Sequence, residues 1–100
     1  WGAARKALNL FMRACICDHY LRSAYRLERI EPLAEIPLDS IVATALKQKA
    51  GRGKLPAWPG LKRLTKEQND RFQTFAAEYA KELGLPARVY LDNYLWLANR

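Results

Sequence analysis

A lysine near the start of the chain and an aspartate further along are the residues whose types could do chemistry together. Lys6 lies in the first turn of a helical pattern, and Asp39 lies where an irregular stretch containing Pro37 turns into another helix. A deprotonated lysine amine is a nucleophile, and a carboxylate beside the attacked carbon stabilises positive charge that develops there. The alternative is a solvated lysine and an aspartate that serves only as a helix N-cap, worth about 1 kcal/mol of stability.

Cleavage of an N-glycosidic bond is a reaction that uses both groups. A carboxylate close to the anomeric carbon stabilises the sugar cation as the base departs. If a lysine amine attacks the same carbon, a covalent iminium intermediate forms and strand cleavage can follow. The amine must first lose its proton, which burial or a cationic neighbour such as Arg5 favours. We therefore take Lys6 as the candidate nucleophile and Asp39 as its electrostatic partner.

The positive charge of the chain is concentrated in one stretch. The formal net charge is +7, and no acidic residue occurs between Asp39 and Glu67. Such a stretch raises the local positive potential and suits contacts with phosphates, although a solvated basic loop is the alternative. The cations that we take as candidate DNA contacts are Lys47, Lys49, Arg52, Lys54, Lys62 and Arg63.

Length and composition predict one small domain. The chain has 100 residues, of which half are hydrophobic and eleven are aromatic, so it can bury a modest core. We assign residues 1–100 to a single helical domain and, because the chain begins at Trp1 and not at methionine, expect it to be incomplete at its N-terminus. No apolar run reaches the length of a membrane span, and we expect no membrane association.

Cys15, Cys17 and His19 have the spacing of a possible metal motif. On a helix only Cys15 and His19 share a face, and the sequence offers no second pair of ligands. We therefore predict no metal and no cofactor, and expect both cysteines to be free thiols in the core. Free thiols favour a reducing compartment, which predicts a cytoplasmic protein.

Helical spacing of apolar residues predicts an all-α fold with four main helices and a long basic connection that contains Pro and Gly. The helices are expected at about residues 3–27, 40–49, 66–83 and 87–98. Thr65 and Gln68 form a capping box before the third helix, and Gly84 with Leu85 ends it. The apolar face expected for the first helix consists of Ala4, Ala7, Leu8, Leu10, Phe11, Ala14 and Cys15.

Three segments carry a resemblance to a known family. The segment 2–13 resembles the hairpin and following helix of the helix-hairpin-helix DNA glycosylases. The segment 35–43, Glu-Ile-Pro-Leu-Asp-Ser-Ile-Val-Ala, is similar to the part of those proteins that carries the catalytic aspartate. The segment 84–96 is similar to the C-terminal helix of the archaeal 8-oxoguanine branch. The chain differs at Ala4, where the family has a second hairpin glycine.

The resemblance implies a fold and an activity. The fold would be the C-terminal part of the glycosylase core, and the partner would be damaged duplex DNA. The reaction would be base excision with strand nicking, with Lys6 as the nucleophile and Asp39 as the catalytic aspartate. Gly2 and Arg5 of the hairpin segment would contact the DNA.

Two other classes of protein fit the same sequence. A non-catalytic helical module that binds nucleic acid needs only the basic connection and a stable core. A helical interaction subunit needs a partner chain to complete its core, and the apolar breadth of the first helix permits this. The residues that give the helix this breadth are Leu8, Leu10, Phe11, Met12 and Ile16.

Overall fold

The chain folds into helices connected by turns and loops. A computed structural model describes the backbone of residues 1–98 and the side chains of residues 1–95. Over residues 1–98 the fold is all-α and has no β-strand, which confirms the predicted class. Its α-helices are α1 (Gly2–Cys17), α2 (His19–Tyr25), α3 (Ser40–Ala50), α4 (Lys66–Glu82) and α5 (Leu91–Ala98). Short 3-10 turns cover Leu27–Arg29, Glu31–Leu33, Leu61–Arg63 and Arg88–Tyr90.

The prediction of one long first helix is wrong, because the chain leaves the helical conformation at Asp18. That residue has an extended backbone, and its carboxylate accepts a hydrogen bond of 2.9 Å from the Leu21 N–H. Asp18 therefore caps α2 and does not pair with Arg22, four residues later. Arg22 instead forms an ion pair with the buried Glu31. The described chain thus has five α-helices where four were expected.

The core lies between α3, α4 and α5. Helix α3 buries one apolar side there, and Trp58 anchors its loop against the core, with its ring centroid 5.9 Å from that of Phe72. The side chains of the core cluster are Ile36, Leu38, Val42, Ala43, Ala45, Leu46, Leu64, Phe72, Ala76, Tyr79, Leu91 and Leu95.

The two ends of α4 follow the sequence signals closely. Thr65 and Gln68 form the predicted capping box, with each side chain accepting from the backbone N–H of the other. At the other end Gly84 has a φ of +77°, and the Leu85 N–H donates to the Ala80 carbonyl at 2.9 Å. This is the predicted left-handed glycine cap. The side chain of Trp96, in the last predicted helix, lies outside the residues whose side chains are described.

Helix α1 turns most of its apolar face away from the body, although its apolar pattern predicted that this face would be buried. Its inner side carries Gly2, Asn9 and Ile16, and Arg5 and Arg13 flank them with ion pairs to carboxylates of the body. Most of the apolar face points to solvent. Its exposed members are Ala4, Ala7, Leu8, Leu10, Phe11 and Ala14, and Cys15 is half-buried.

This orientation also corrects the prediction for the cysteines. Cys17 is exposed and Cys15 is half-buried, so neither lies in the core, and both are free thiols. Among the described residues no cluster of three or more His, Cys, Asp or Glu side chains could hold a metal ion. The same part of the chain contains no helix that is both long and apolar enough to cross a membrane.

Candidate active site

Asp39 is the N-cap of α3, as the sequence predicts. Its Oδ1 accepts a hydrogen bond of 2.8 Å from the Val42 N–H. The approach to Asp39 is fixed because Ile36, Pro37 and Leu38 are buried. One carboxylate oxygen therefore holds the helix end, while Oδ2 is left for another partner.

That partner is Lys6. The Lys6 Nζ lies 3.8 Å from Asp39 Oδ2, a distance that makes an ion pair without a close hydrogen bond. The two side chains are 29% and 36% exposed, so both are reachable from solvent. The fold thus brings together the amine and the carboxylate that the sequence singled out. Their catalytic role stays a prediction.

A second ion pair borders this one. Arg13 lies two turns after Lys6 on α1, and its guanidinium pairs with Asp92 in the first turn of α5. Burial and the nearby charge of Asp39 raise the pKa of Asp92, while Arg13 and Lys6 oppose that shift. Sequence reasoning missed Asp92. The available signal was that Asp92 is an acidic residue near the start of a predicted helix, within the segment 84–96 that resembles the glycosylase family.

Arg5, which was predicted to contact DNA, is held by a carboxylate. Its Nε and Nη2 donate to the two oxygens of Glu35 at 2.9 and 2.7 Å. These bonds raise the pKa of Arg5 despite its partial burial. Burial works to raise the pKa of Glu35, but hydrogen bonds from Arg5 and Asn9 and the Arg5 charge bring it below its ordinary value. The pair is therefore ionised at neutral pH, and Arg5 has its main partner within the fold.

Gly2 allows a very close approach between α1 and the loop before α4. A Cβ on Gly2 would lie 2.1 Å from the Leu61 carbonyl oxygen and 2.9 Å from the Leu64 Cβ, so only glycine fits. The contact places the basic turn with Lys62 and Arg63 beside the first turn of α1. The structure thus gives Gly2 a packing role, and its contact with DNA stays a prediction.

The other predicted DNA contacts are open to solvent to different degrees. Lys47 in the last turn of α3 is half-buried. The remaining side chains are exposed, and these are Lys49, Arg52, Lys54, Lys62 and Arg63. A cavity of about 380 Å³ lies along α4, with Lys54, Leu55, Asp70, Arg71, Thr74, Phe75 and Glu78 as its lining. Neither Lys6 nor Asp39 belongs to that lining.

The arrangement places an amine and a carboxylate side by side at the protein surface, where both can contact the same ligand group. Comparison of the chain with family models, with curated proteins and with solved structures gives no match. The chemistry of the site therefore has to be argued from its own geometry. That geometry consists of a solvent-accessible amine, a carboxylate fixed by a helix cap, and a second carboxylate close by.

Proposed function

We propose that this protein binds DNA and acts on it as a base-excision DNA glycosylase with lyase activity. Lys6 is the nucleophile and Asp39 its electrostatic partner. The observation that supports this most is the 3.8 Å approach of Lys6 Nζ to Asp39 Oδ2 across two helices that are distant in sequence. The exposure of both groups leaves room for a sugar carbon to approach them. The substrate class is duplex DNA with a damaged base.

The proposed reaction gives Lys6 and Asp39 different roles. The Lys6 ammonium, ion-paired with Asp39, first gives one proton to solvent. The Lys6 nitrogen then bonds to C1′ of the damaged nucleotide, and the bond from C1′ to the base breaks with its electron pair on the base. The proton that the nitrogen releases balances the proton that the base takes up. The sugar ring then opens, its oxygen takes a proton from solvent, and an iminium forms between Nζ and C1′. The Asp39 carboxylate stabilises the positive charge that develops on the sugar.

Borohydride trapping tests this proposal directly. The Lys6 amine adds to the aldehyde carbon of an abasic site, water leaves, and hydride from borohydride reduces the iminium to a stable secondary amine. We expect the purified protein to form this adduct with a duplex that holds one abasic site. An intact duplex of the same sequence is the control. Absence of any adduct over a range of pH would contradict the lyase activity.

The acid-free basic interval predicts that DNA affinity falls steeply with salt. Each phosphate neutralised by a lysine or arginine releases counterions, so log K falls linearly with log salt concentration. Replacing both Lys62 and Arg63 with glutamine should lower the slope by about two if each contacts one phosphate. Fluorescence anisotropy of a labelled duplex measures this. Replacement of Lys81, at the far end of α4, is the matched control, and an unchanged slope for the double variant would remove Lys62 and Arg63 from the interface.

The exposed face of α1 favours a second candidate function, that of a helical interaction subunit. Phe11 is 64% exposed and Leu8 is 51% exposed, within a face that has no charged side chain. The cations at its edges are neutralised by Glu35, Asp39 and Asp92. A second copy offers the same charge-free face, so two copies can meet there without repulsion despite the net charge of +7.

Self-association through α1 is the expected result for this candidate. Sedimentation velocity should show a concentration-dependent increase in mass for the parent protein, because pairing covers the apolar face. Phe11→Asp should give a monomer with the same helical content. The control is Ile41→Asp, which changes an exposed apolar residue on α3. A parent protein that stays monomeric at high concentration would exclude this mode of association.

A further inference from the structure

Glu35 is the best-connected carboxylate in the described part of the chain. Besides the two bonds from Arg5, its Oε1 accepts from Asn9 Nδ2 at 3.0 Å. Asn69 Nδ2 lies 3.4 and 3.5 Å from its two oxygens. The side chain is only 12% exposed, so these donors replace water almost completely. One carboxylate thus joins α1 and α4 to the segment that leads into α3.

The partners on α1 fix the rotation of that helix about its axis. Arg5 and Asn9 lie one turn apart, and both bond the same carboxylate. Lys6 follows Arg5 and therefore projects about 100° further around the axis, towards Asp39. Because the outer face of α1 is exposed, the inner contacts alone resist its rotation. Gly2, Ile16 and the Arg13–Asp92 pair hold α1 at other points, but the Glu35 contacts include Arg5, the direct neighbour of Lys6. Their loss would therefore leave the direction of Lys6 less well defined.

Side chains from α4 and from the 3-10 turn Arg88–Tyr90 hold the segment that carries Glu35. The Gln73 side chain accepts from the Ile36 N–H at 2.9 Å and donates to the Ile36 carbonyl at 2.8 Å. Arg88 donates to the carbonyls of Leu33 and Ala34, each at 3.0 Å. These hydrogen bonds fix the position of the segment, and Asp39 follows Ile36 by three residues.

We infer that Glu35 is a positioning residue that holds the amine of Lys6 against the carboxylate of Asp39. The inference rests on the proposed function, since it concerns the alignment of the same nucleophile. Glu35 acts through Arg5 and Asn9 and does not touch the substrate. A displacement of about 1 Å in a reacting group can lower a rate by about 100-fold. We therefore expect loss of the Glu35 contacts to lower the reaction rate of Lys6 far more than it changes the affinity of the protein for DNA.

The variant Glu35→Gln tests the inference, with Glu31→Gln as the matched control. Both glutamates are largely buried and paired with an arginine, but Glu31 bonds Arg22 and Tyr90, away from Lys6. With abasic-site DNA at saturation, we expect Glu35→Gln to lower the rate of borohydride trapping at least about ten-fold. Its Kd for the same DNA should not increase, because the change removes a negative charge beside Arg5, and Glu31→Gln should keep the parent trapping rate. Thermal unfolding measures whether each variant is folded at the assay temperature.

The possible outcomes separate this inference from the proposed function. If the parent protein forms no adduct, the proposed function fails and the inference falls with it. If the parent protein forms the adduct and Glu35→Gln traps at the same rate, the inference alone is overturned. An equal loss of rate in both variants also overturns it, because general destabilisation then explains the effect. Should Glu35→Gln fail to fold, Asn9→Ala removes one neutral donor, and a smaller loss of rate at unchanged Kd is then expected.

Discussion

Replacing Lys6 with alanine is expected to abolish the borohydride adduct with abasic-site DNA. The change removes the only atom that forms the covalent bond, so the loss should be complete at every pH. The Kd for the same DNA should change little, because Lys6 is one half-buried cation among many and contributes a small part of the binding. Gel electrophoresis after trapping measures the adduct, and anisotropy measures the affinity. An adduct that survives in this variant would assign the nucleophile to another amine.

Two companion variants separate charge from nucleophilicity. Lys6→Arg keeps a cation near Asp39 but cannot form the iminium, so it should also give no adduct. Asp39→Asn keeps an N-cap of similar strength for α3 while it removes the negative charge. Base release by Asp39→Asn should fall about 100-fold with little change in thermal stability. A full rate in Asp39→Asn would leave the aspartate as a helix cap only.

The second large effect concerns the free energy of unfolding, which is expected to respond very differently to the loss of two phenylalanines. Phe72 on α4 is completely buried, packed against Trp58, whereas Phe11 on α1 is 64% exposed. Phe72→Ala should lower the free energy of unfolding by about 3–5 kcal/mol, because it removes buried area and leaves a cavity. Phe11→Ala should change it by no more than about 0.5 kcal/mol. Urea denaturation followed by circular dichroism measures both.

This contrast tests the orientation of α1. A large loss of stability in Phe11→Ala at low protein concentration would mean that the apolar face of α1 is covered within the monomer. A loss that grows with protein concentration would instead point to the self-associated form, since pairing adds to stability by mass action. The parent protein is measured at the same concentrations as the control.

Local signals determined much of the fold. The capping box at Thr65 and Gln68, the glycine cap at Gly84 and the N-cap at Asp39 involve residues within a few positions of each other. Such hydrogen bonds depend on neighbours in sequence, and they set the bounds of α3 and α4. Helical spacing of the apolar residues predicted the all-α class for the same reason. The residue types of the candidate site, Lys6 and Asp39, were also present in the sequence.

Tertiary structure alone decided how α1 faces the body and what its polar residues contact. The apolar pattern of α1 predicted that Phe11 would point inward, but Arg5, Asn9 and Arg13 are the side chains that meet the body. Their partners lie far away in sequence, so no local rule could pair them. The 3.8 Å approach of Lys6 to Asp39 has the same origin. Spacing in a sequence gives the faces of a helix, whereas the partners available across the fold determine which face turns inward.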